Sequence, residues 1–267
     1  MSLFRRFIRP GVCQADAPSP DRLTGISVTA AGYIDLGTAS GYLTGLKAKA
    51  MAISMWFKAG INQTNWSRIW SATTANGVGA WFAIQDNVDH DKPKINWSRI
   101  GANAVGLAMT GAPLGSLYNI TVILDGVTTG RAFQDGVADG TDEYAGLADA
   151  DSTKITLGAR AYDYTSGIAG KYGPFAVLDL SSSGIGDAAT SLALAAAIYN
   201  AGTNAEAMRA TIMAQDGLIV GKYWKLNELA PGQASAASDT INRYAVETGA
   251  LEGAANSATS GATGVAW

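Results

Sequence analysis

With 267 residues, 48% of them hydrophobic and 15% charged, the chain has the material for one large core and is excluded from the disordered class. A formal net charge of -3 and a pI near 5.1 argue against a nucleic-acid binder, because Lys and Arg together do not exceed Asp and Glu and leave no basic footprint for phosphates. The single cysteine, Cys13, cannot close an internal disulfide, so the fold is expected to stand without an oxidising compartment.

Residues 1–22 read as an N-terminal arm. Leu3, Phe4, Phe7, Ile8 and Val12 are apolar but too few to own a core, and Pro18 and Pro20 push the residues before them into extended geometry. Arg9 and Pro10 break the apolar run before it reaches the length of a signal-peptide core, so no secretion signal is expected. No later run approaches the ~18 apolar residues of a membrane helix, which predicts no membrane partner. Phe4, Arg5, Arg6, Phe7 and Ile8 are the candidate attachment residues of this arm, the arginines for acidic groups on a partner and the apolar side chains for its surface.

The body is predicted over 23–226. Gly32-Tyr-Ile-Asp-Leu-Gly is its first strand candidate, and Met51 to Phe57 a central strand in which Ile53, Met55 and Phe57 alternate with Ala52, Ser54 and Trp56. Asn65-Trp-Ser-Arg-Ile69 recurs as Asn96-Trp-Ser-Arg-Ile100, a repeat too short for a solenoid. Its tryptophans, Trp66 and Trp97, are the candidate glycan-binding residues, since an indole offers an apolar face to a sugar ring and a polar rim. Packing on a sheet face is the simpler reading of both. Asp86-Asn-Val-Asp-His-Asp91 carries hard oxygen ligands, but Lys92 and Lys94 follow and the glycine of an EF-hand loop is missing, so it reads as a solvated turn and no metal site is predicted. His90, the one histidine, has no ligand partner at zinc spacing.

The stretch from Leu117 to Leu157 is the plainest β text. Tyr118, Ile120, Val122 and Leu124 alternate with Asn119, Thr121, Ile123 and Asp125, predicting one face on the core and the other mostly wet. Asp135-Gly136 suits a tight hairpin after the strand Arg131 to Gln134, and a third strand of the meander is expected near Ile155. The period then changes. Asp187 caps a helix over Ala188 to Asn200 with Gly202 past its end, and Asn204 caps a second over Ala205 to Ala214 closed by Gly217. Leu218 to Leu226 reads as one more strand or extended segment. Residues 227–267 are rich in Ala, Gly and Ser and offer little to bury, so they are expected as an extended segment that folds only against another surface.

Four pieces in this order carry a resemblance: Ala50-Met-Ala-Ile-Ser-Met-Trp-Phe-Lys58, the strands flanking Asp125-Gly126 and Asp135-Gly136 up to Ile155-Thr-Leu-Gly-Ala159, Gly173-Pro-Phe-Ala-Val-Leu-Asp179, and Leu192 to Gly202. Together they resemble a laminin-G-like domain of the concanavalin A-like lectin and glucanase superfamily, of the kind found in tailed-phage virion proteins. The resemblance implies an all-β fold, a two-sheet antiparallel jelly-roll sandwich, here with two short peripheral helices and extended N- and C-terminal arms. The superfamily includes glycoside hydrolases that place their carboxylates as Glu-x-Asp-x-x-Glu on one strand, and none of Glu143, Glu206, Glu228, Glu247 and Glu252 stands in such a setting. No Gly-x-Ser-x-Gly elbow, phosphate loop or dinucleotide fingerprint is present, so no catalytic residue and no cofactor are expected. The resemblance points to a non-enzymatic structural protein of a virus particle, a decoration, spike or fibre-associated subunit assembled in a bacterial cytoplasm. Its expected partners are other virion subunits, further copies of itself and a host surface glycan. A carbohydrate-binding module is the alternative.

Overall fold

The computed structural model describes residues 24–37, 49–60, 67–73, 79–84, 93–99, 102–108, 114–143, 154–159, 161, 163–229, 231–235, 240–256 and 260–266. They form β1 (Thr24–Asp35), β2 (Ala50–Ala59), β3 (Ser67–Thr73), β4 (Gly79–Ile84), β5 (Pro93–Arg99), β6 (Ala102–Ala108), β7 (Leu117–Asp125), β8 (Thr129–Gln134), β9 (Val137–Glu143), β10 (Thr156–Leu157) and β11 (Gly170–Asp179). The helices α1 (Ala188–Ala201) and α2 (Ala205–Gln215) follow, then β12 (Val220–Trp224), β13 (Thr240–Ala245), β14 (Leu251–Asn256) and β15 (Ser260–Ala266).

Every described strand pair is antiparallel, and the strands form two layers that share β1. In the first layer β11 is central, with β2, β7, β8 and β9 following on one side. Its other edge is divided: residues 170–172 pair with β1, and residues 175–179 pair with β12, which continues into β13 and β14. The register shifts between Tyr172 and Phe175, where Pro174 has no N–H to give a ladder. The second layer runs β6, β5, β4, β3, β10, β1. Near its start β1 pairs with β11, and at its end Ile34 and Asp35 face Leu157 and Thr156 of β10, so one strand passes from layer to layer.

Between the layers lies an apolar core that includes Ile53, Met55 and Phe57 of β2 and Tyr118, Ile120, Val122 and Leu124 of β7, the inward set that alternation predicts. Its centre is aromatic: Trp70 lies 6.2 Å from Phe175, which lies 5.2 Å from Trp224. The predicted turn is present, with Asp135 at φ 51 and Gly136 at φ 74, the two positive values of a type I′ hairpin.

Four expectations need correction. The second face of β7 is not wet: Asn119, Thr121 and Ile123 are all fully buried, because α1 and α2 cover that side and pack Leu194, Ile198, Met208 and Ile212 onto Ile123, Phe133 and Leu178. The third strand of the meander is β9, directly after the turn, whereas β10 near Ile155 belongs to the other layer. The helix caps at Asp187, Gly202 and Asn204 are as predicted, but α2 ends at Gln215 and is capped by Asp216 rather than Gly217. Finally, the segment after Leu226 contributes three strands. β13 extends the edge at β12, β15 pairs with β1, and Leu229, Ile241, Ala245, Val246 and Ala262 are buried apolar residues among the described ones. The arm residues Phe4, Arg5, Arg6, Phe7 and Ile8 lie outside the described residues.

Candidate functional site

Of the two sequence-predicted tryptophans, Trp66 lies outside the described residues, as do Asp86 to Asp91 with His90. Trp97 is in β5, its backbone opposite Ala80 of β4 and Val105 of β6. The described residues therefore do not join the two in one site. Trp56 is buried at 7% exposure on the helix-covered face and stacks on Tyr199 of α1 at 5.7 Å, which is a packing role.

A different constellation forms where β1 ends. Ile34 and Leu36 point into the core, so the two-residue period turns Tyr33 and Asp35 to the opposite face. Ile155 exchanges backbone hydrogen bonds with Leu36 and Gly37, and this places Lys154 beside Asp35. The chain after β10 folds back over this face, held by the Ile168 N–H to Gly158, the Arg68 N–H to Ser166 and the Ala161 N–H to Ser71 Oγ. It carries Tyr164 onto Tyr33, with the rings stacked at a centroid distance of 4.0 Å and 13° between planes.

The polar edge of this stack is a short relay. The Lys154 ammonium donates to the Tyr164 hydroxyl, and that hydroxyl donates to Asp35 Oδ2 at 3.0 Å. Lys154 Nζ also lies 3.9 Å from the same carboxylate and 4.7 Å from the Tyr164 ring centroid. Asp35 is only 6% exposed and is fixed from behind by the Gly37 N–H at 2.8 Å. The hydrogen bond to Tyr164 pushes the Lys154 ammonium above the usual lysine range, with Asp35 adding to it, so the lysine stays charged. Burial pushes the Tyr164 phenol up, Asp35 reinforces the shift and Lys154 opposes it, so the hydroxyl keeps its proton as a donor.

The loop holds this geometry at a cost in backbone freedom. Tyr164 at φ 57 and Ser166 at φ 54 are both in the left-handed region that side chains disfavour. Asp163 steadies the turn between them by accepting from the Thr165 N–H at 3.0 Å and hydroxyl at 2.8 Å. Half-buried ring faces beside a fixed cation, a phenol and a carboxylate suit an amphiphilic ring with hydroxyls around its rim. The relay contains one carboxylate. The two that retaining glycoside chemistry sets ~5 Å apart are not there.

The Tyr33 and Asp35 half of the site was open to sequence reading, since Gly32-Tyr-Ile-Asp is a legible strand with both side chains on one face. Tyr164 and Lys154 were missed because only the return of the chain over the sheet brings them there. Among the described residues no group of three or more His, Cys, Asp or Glu is placed to hold a metal, and no helix is long and apolar enough to cross a membrane.

Residues 29–182 match a family model described as the concanavalin A-like lectin/glucanases superfamily. Comparison with curated protein sequences finds no match. Among solved structures, a protein from Bacteroides ovatus assigned to carbohydrate binding superposes with a TM-score of 0.55 at 12% identity, over 92% of this chain and 60% of its own. The chain thus spans about 60% of that structure's length. A heptameric pentraxin from Limulus polyphemus matches at a TM-score of 0.42 and 11% identity, over 58% of this chain and 76% of that one. The CBM40 module of a Ruminococcus gnavus IT-sialidase, solved with α2,3-sialyllactose, matches at 0.42 and 16%, over 54% and 82%. At such identities the likeness is one of fold.

Proposed function

The chain belongs to the concanavalin A-like lectin/glucanases superfamily, and from that premise we propose that it is a non-enzymatic, lectin-like protein that binds carbohydrate at the end of β1. The observation that carries this reading is the Tyr33 and Tyr164 stack, half-buried at the surface and bordered by the Lys154, Tyr164 and Asp35 relay. A sugar ring lies on the outer aromatic face, and the ammonium and the carboxylate take hydroxyls at its edge. Fold alone does not decide function, so the site has to be tested directly. Tyr164→Ala removes both the stacking face and the relay's centre and should abolish a glycan-array signal, while Tyr33→Phe, which keeps the ring, should retain it. A signal unchanged in Tyr164→Ala, with Trp66→Ala and Trp97→Ala abolishing it, would move the site to the repeated tryptophans.

A second reading is that this lectin-like body is displayed on a virus particle as a decoration, spike or fibre-associated subunit. The observation favouring it is α1, fourteen residues without a single charge that leave Leu192 at 42% and Tyr199 at 38% exposure on the surface. An uncharged helix face of this kind fits packing against another subunit better than permanent solvation. In that setting residues 1–22 are the attachment arm and other virion subunits the partners. Deleting residues 1–20 should leave the melting curve of the body intact and reduce incorporation into particles. Full incorporation of the deleted protein would place attachment elsewhere.

A further inference from the structure

We infer that the site at the end of β1 is selective for uncharged sugars, and that the buried Asp35 is the residue that makes it so. This selectivity belongs to the site proposed above for carbohydrate and rests on that reading. Lys154 Nζ lies 3.9 Å from Asp35 Oδ2, so the ammonium of the relay already has a counter-ion. The lysine side chain is exposed and Asp35 is buried, so a ligand meets the ammonium first. A ligand carboxylate bonded to that ammonium at about 3 Å would stand no more than about 7 Å from Asp35 Oδ2, inside the ~8 Å Debye length at physiological salt. Solvent ions therefore do not hide Asp35, and its repulsion works against the attraction of Lys154.

The protons of the relay act in the same direction. The Tyr164 hydroxyl accepts a hydrogen bond from Lys154 and donates its own proton to Asp35 at 3.0 Å. What it has left for a ligand is a lone pair, which needs a donor, whereas Lys154 has only N–H groups to offer. A sugar hydroxyl satisfies both neighbours at once, because it donates to the phenol oxygen while it accepts from the ammonium. A carboxylate or a sulfate is acceptor-only at neutral pH and leaves the phenol oxygen facing another oxygen. Asp35 thus takes up both the charge and the proton that an anion would use. The Gly37 N–H, donating to Oδ1 at 2.8 Å, fixes the carboxylate in that position from the backbone.

Asp35→Asn is the change that reverses the selectivity. The amide keeps the shape of the side chain and still accepts from Gly37, but it carries no charge, and its NH2 group turned to Tyr164 donates where the carboxylate accepted. The ammonium loses this counter-ion, and the phenol proton is released to point at a ligand. Both changes favour an acceptor-only, negatively charged group over a hydroxyl.

The test uses the whole chain on a glycan array that carries neutral oligosaccharides beside their uronate and sulfate counterparts. Wild type should bind neutral members, with the acidic counterparts at least about tenfold weaker, a factor that corresponds to about 1.4 kcal/mol. Asp35→Asn should bring that ratio to about one or invert it, and the gain should vanish in high salt. Adding Lys154→Gln to Asp35→Asn should remove the gain again. Tyr164→Ala should lose neutral and acidic signals alike. Acidic members bound by wild type as well as the neutral ones would overturn the inference while leaving the site in place. A ratio unchanged in Asp35→Asn, with a melting curve showing that the variant is folded, would overturn the role of Asp35. Asp35→Ser, which also removes the charge and can still accept from Gly37, gives the same reading should the amide variant not fold. Absence of any glycan signal, or signals that survive Tyr164→Ala, would remove the carbohydrate reading of this site and the inference with it.

Discussion

On the inner face of the β2–β7 pair the directly opposed residues are apolar or aromatic: Met51 with Leu124, Ile53 with Val122, Met55 with Ile120, Phe57 with Tyr118. On the outer face of the same two strands Ser54 opposes Thr121 and Trp56 opposes Asn119, and there the polar groups close on themselves. Thr121 Oγ1 donates to Asn119 Oδ1 at 2.9 Å, Asn119 Nδ2 donates to Ser54 Oγ at 3.3 Å, and Ser54 and Thr121 share a hydrogen bond of 2.8 Å. Because the Thr121 proton is already given to Asn119, the proton in that last bond comes from Ser54, and the three form a ring. The second Asn119 N–H goes to the Met55 carbonyl at 3.1 Å. Both faces are dry, for different reasons. The first is dry because apolar area drives it inward. The second is dry because helices cover it, and the ring there meets the hydrogen-bonding needs of Ser54, Asn119 and Thr121 under that cover.

The largest effect should come from the inner face. Ile120→Ala should cost about 2 to 5 kcal/mol in urea denaturation, since a fully packed aliphatic loses both transfer energy and its neighbours' contacts. A near-neutral result would mean that the two faces are exchanged. Next comes the ring. Asn119→Ala strips partners from Ser54, Thr121 and the Met55 carbonyl at once and should cost about 1 to 3 kcal/mol. A double-mutant cycle with Thr121→Val should show coupling, and strict additivity would mean that the three act as separate bonds.

Gly136→Ala tests the helical cover from outside. At φ 74 a side chain is strained, and its Cβ would stand 2.9 Å from Ala196 Cα in α1, so a loss of about 1 to 2 kcal/mol is expected from the backbone alone. An unchanged melting temperature would show that neither the left-handed backbone nor the approach of α1 constrains this position. The smallest and most informative effect concerns Glu228, a buried polar group without such closure. Its Oε1 accepts from the Asn242 N–H at 2.9 Å, but Oε2 has no partner. Burial raises this carboxyl above its ordinary 4.5, against the opposing pull of the N–H groups of Asn242, Glu228 and Asn227 and of Lys225. A raised carboxyl favours the folded state fully below 4.5 and loses that contribution as pH rises through the folded value. Glu228→Gln should therefore flatten the decline and melt above wild type at pH 7. A parallel pH profile in the two proteins would show that Glu228 is not the source.

These contrasts also mark what the chain could reveal before it was folded. The inner face of β2 and β7, the Asp135-Gly136 turn and the caps at Asp187 and Asn204 were legible, because alternation, positive φ and orphan helix N–H groups act over two to four residues. The burial of Asn119 and Thr121 was not, since polar residues alternating with apolar ones look the same whether water or a later helix lies over them. β9, Val-Ala-Asp-Gly-Thr-Asp-Glu, and the Ala- and Gly-rich β14 and β15 have weak intrinsic strand preference and take their conformation from the edges they join. The same holds for the site. Tyr33 and Asp35 follow from one strand, whereas Tyr164 reaches them through a loop in left-handed geometry that nothing in Tyr162-Asp-Tyr-Thr announces.

The pairing of β15 with β1, Thr24 opposite Ala266 and Val28 opposite Ala262, has a kinetic consequence. Nearly the whole described body must leave the ribosome before the strand that guards the β1 edge exists. Until then the N–H and C=O groups of that edge are open to any passing strand, including the same edge of another nascent copy. Such a high sequence separation between partners predicts slow final closure. The Gln233 to Ser235 segment, bonded along the far side of β15 at Ala262 and Gly264, then acts as a latch that engages only after that late step.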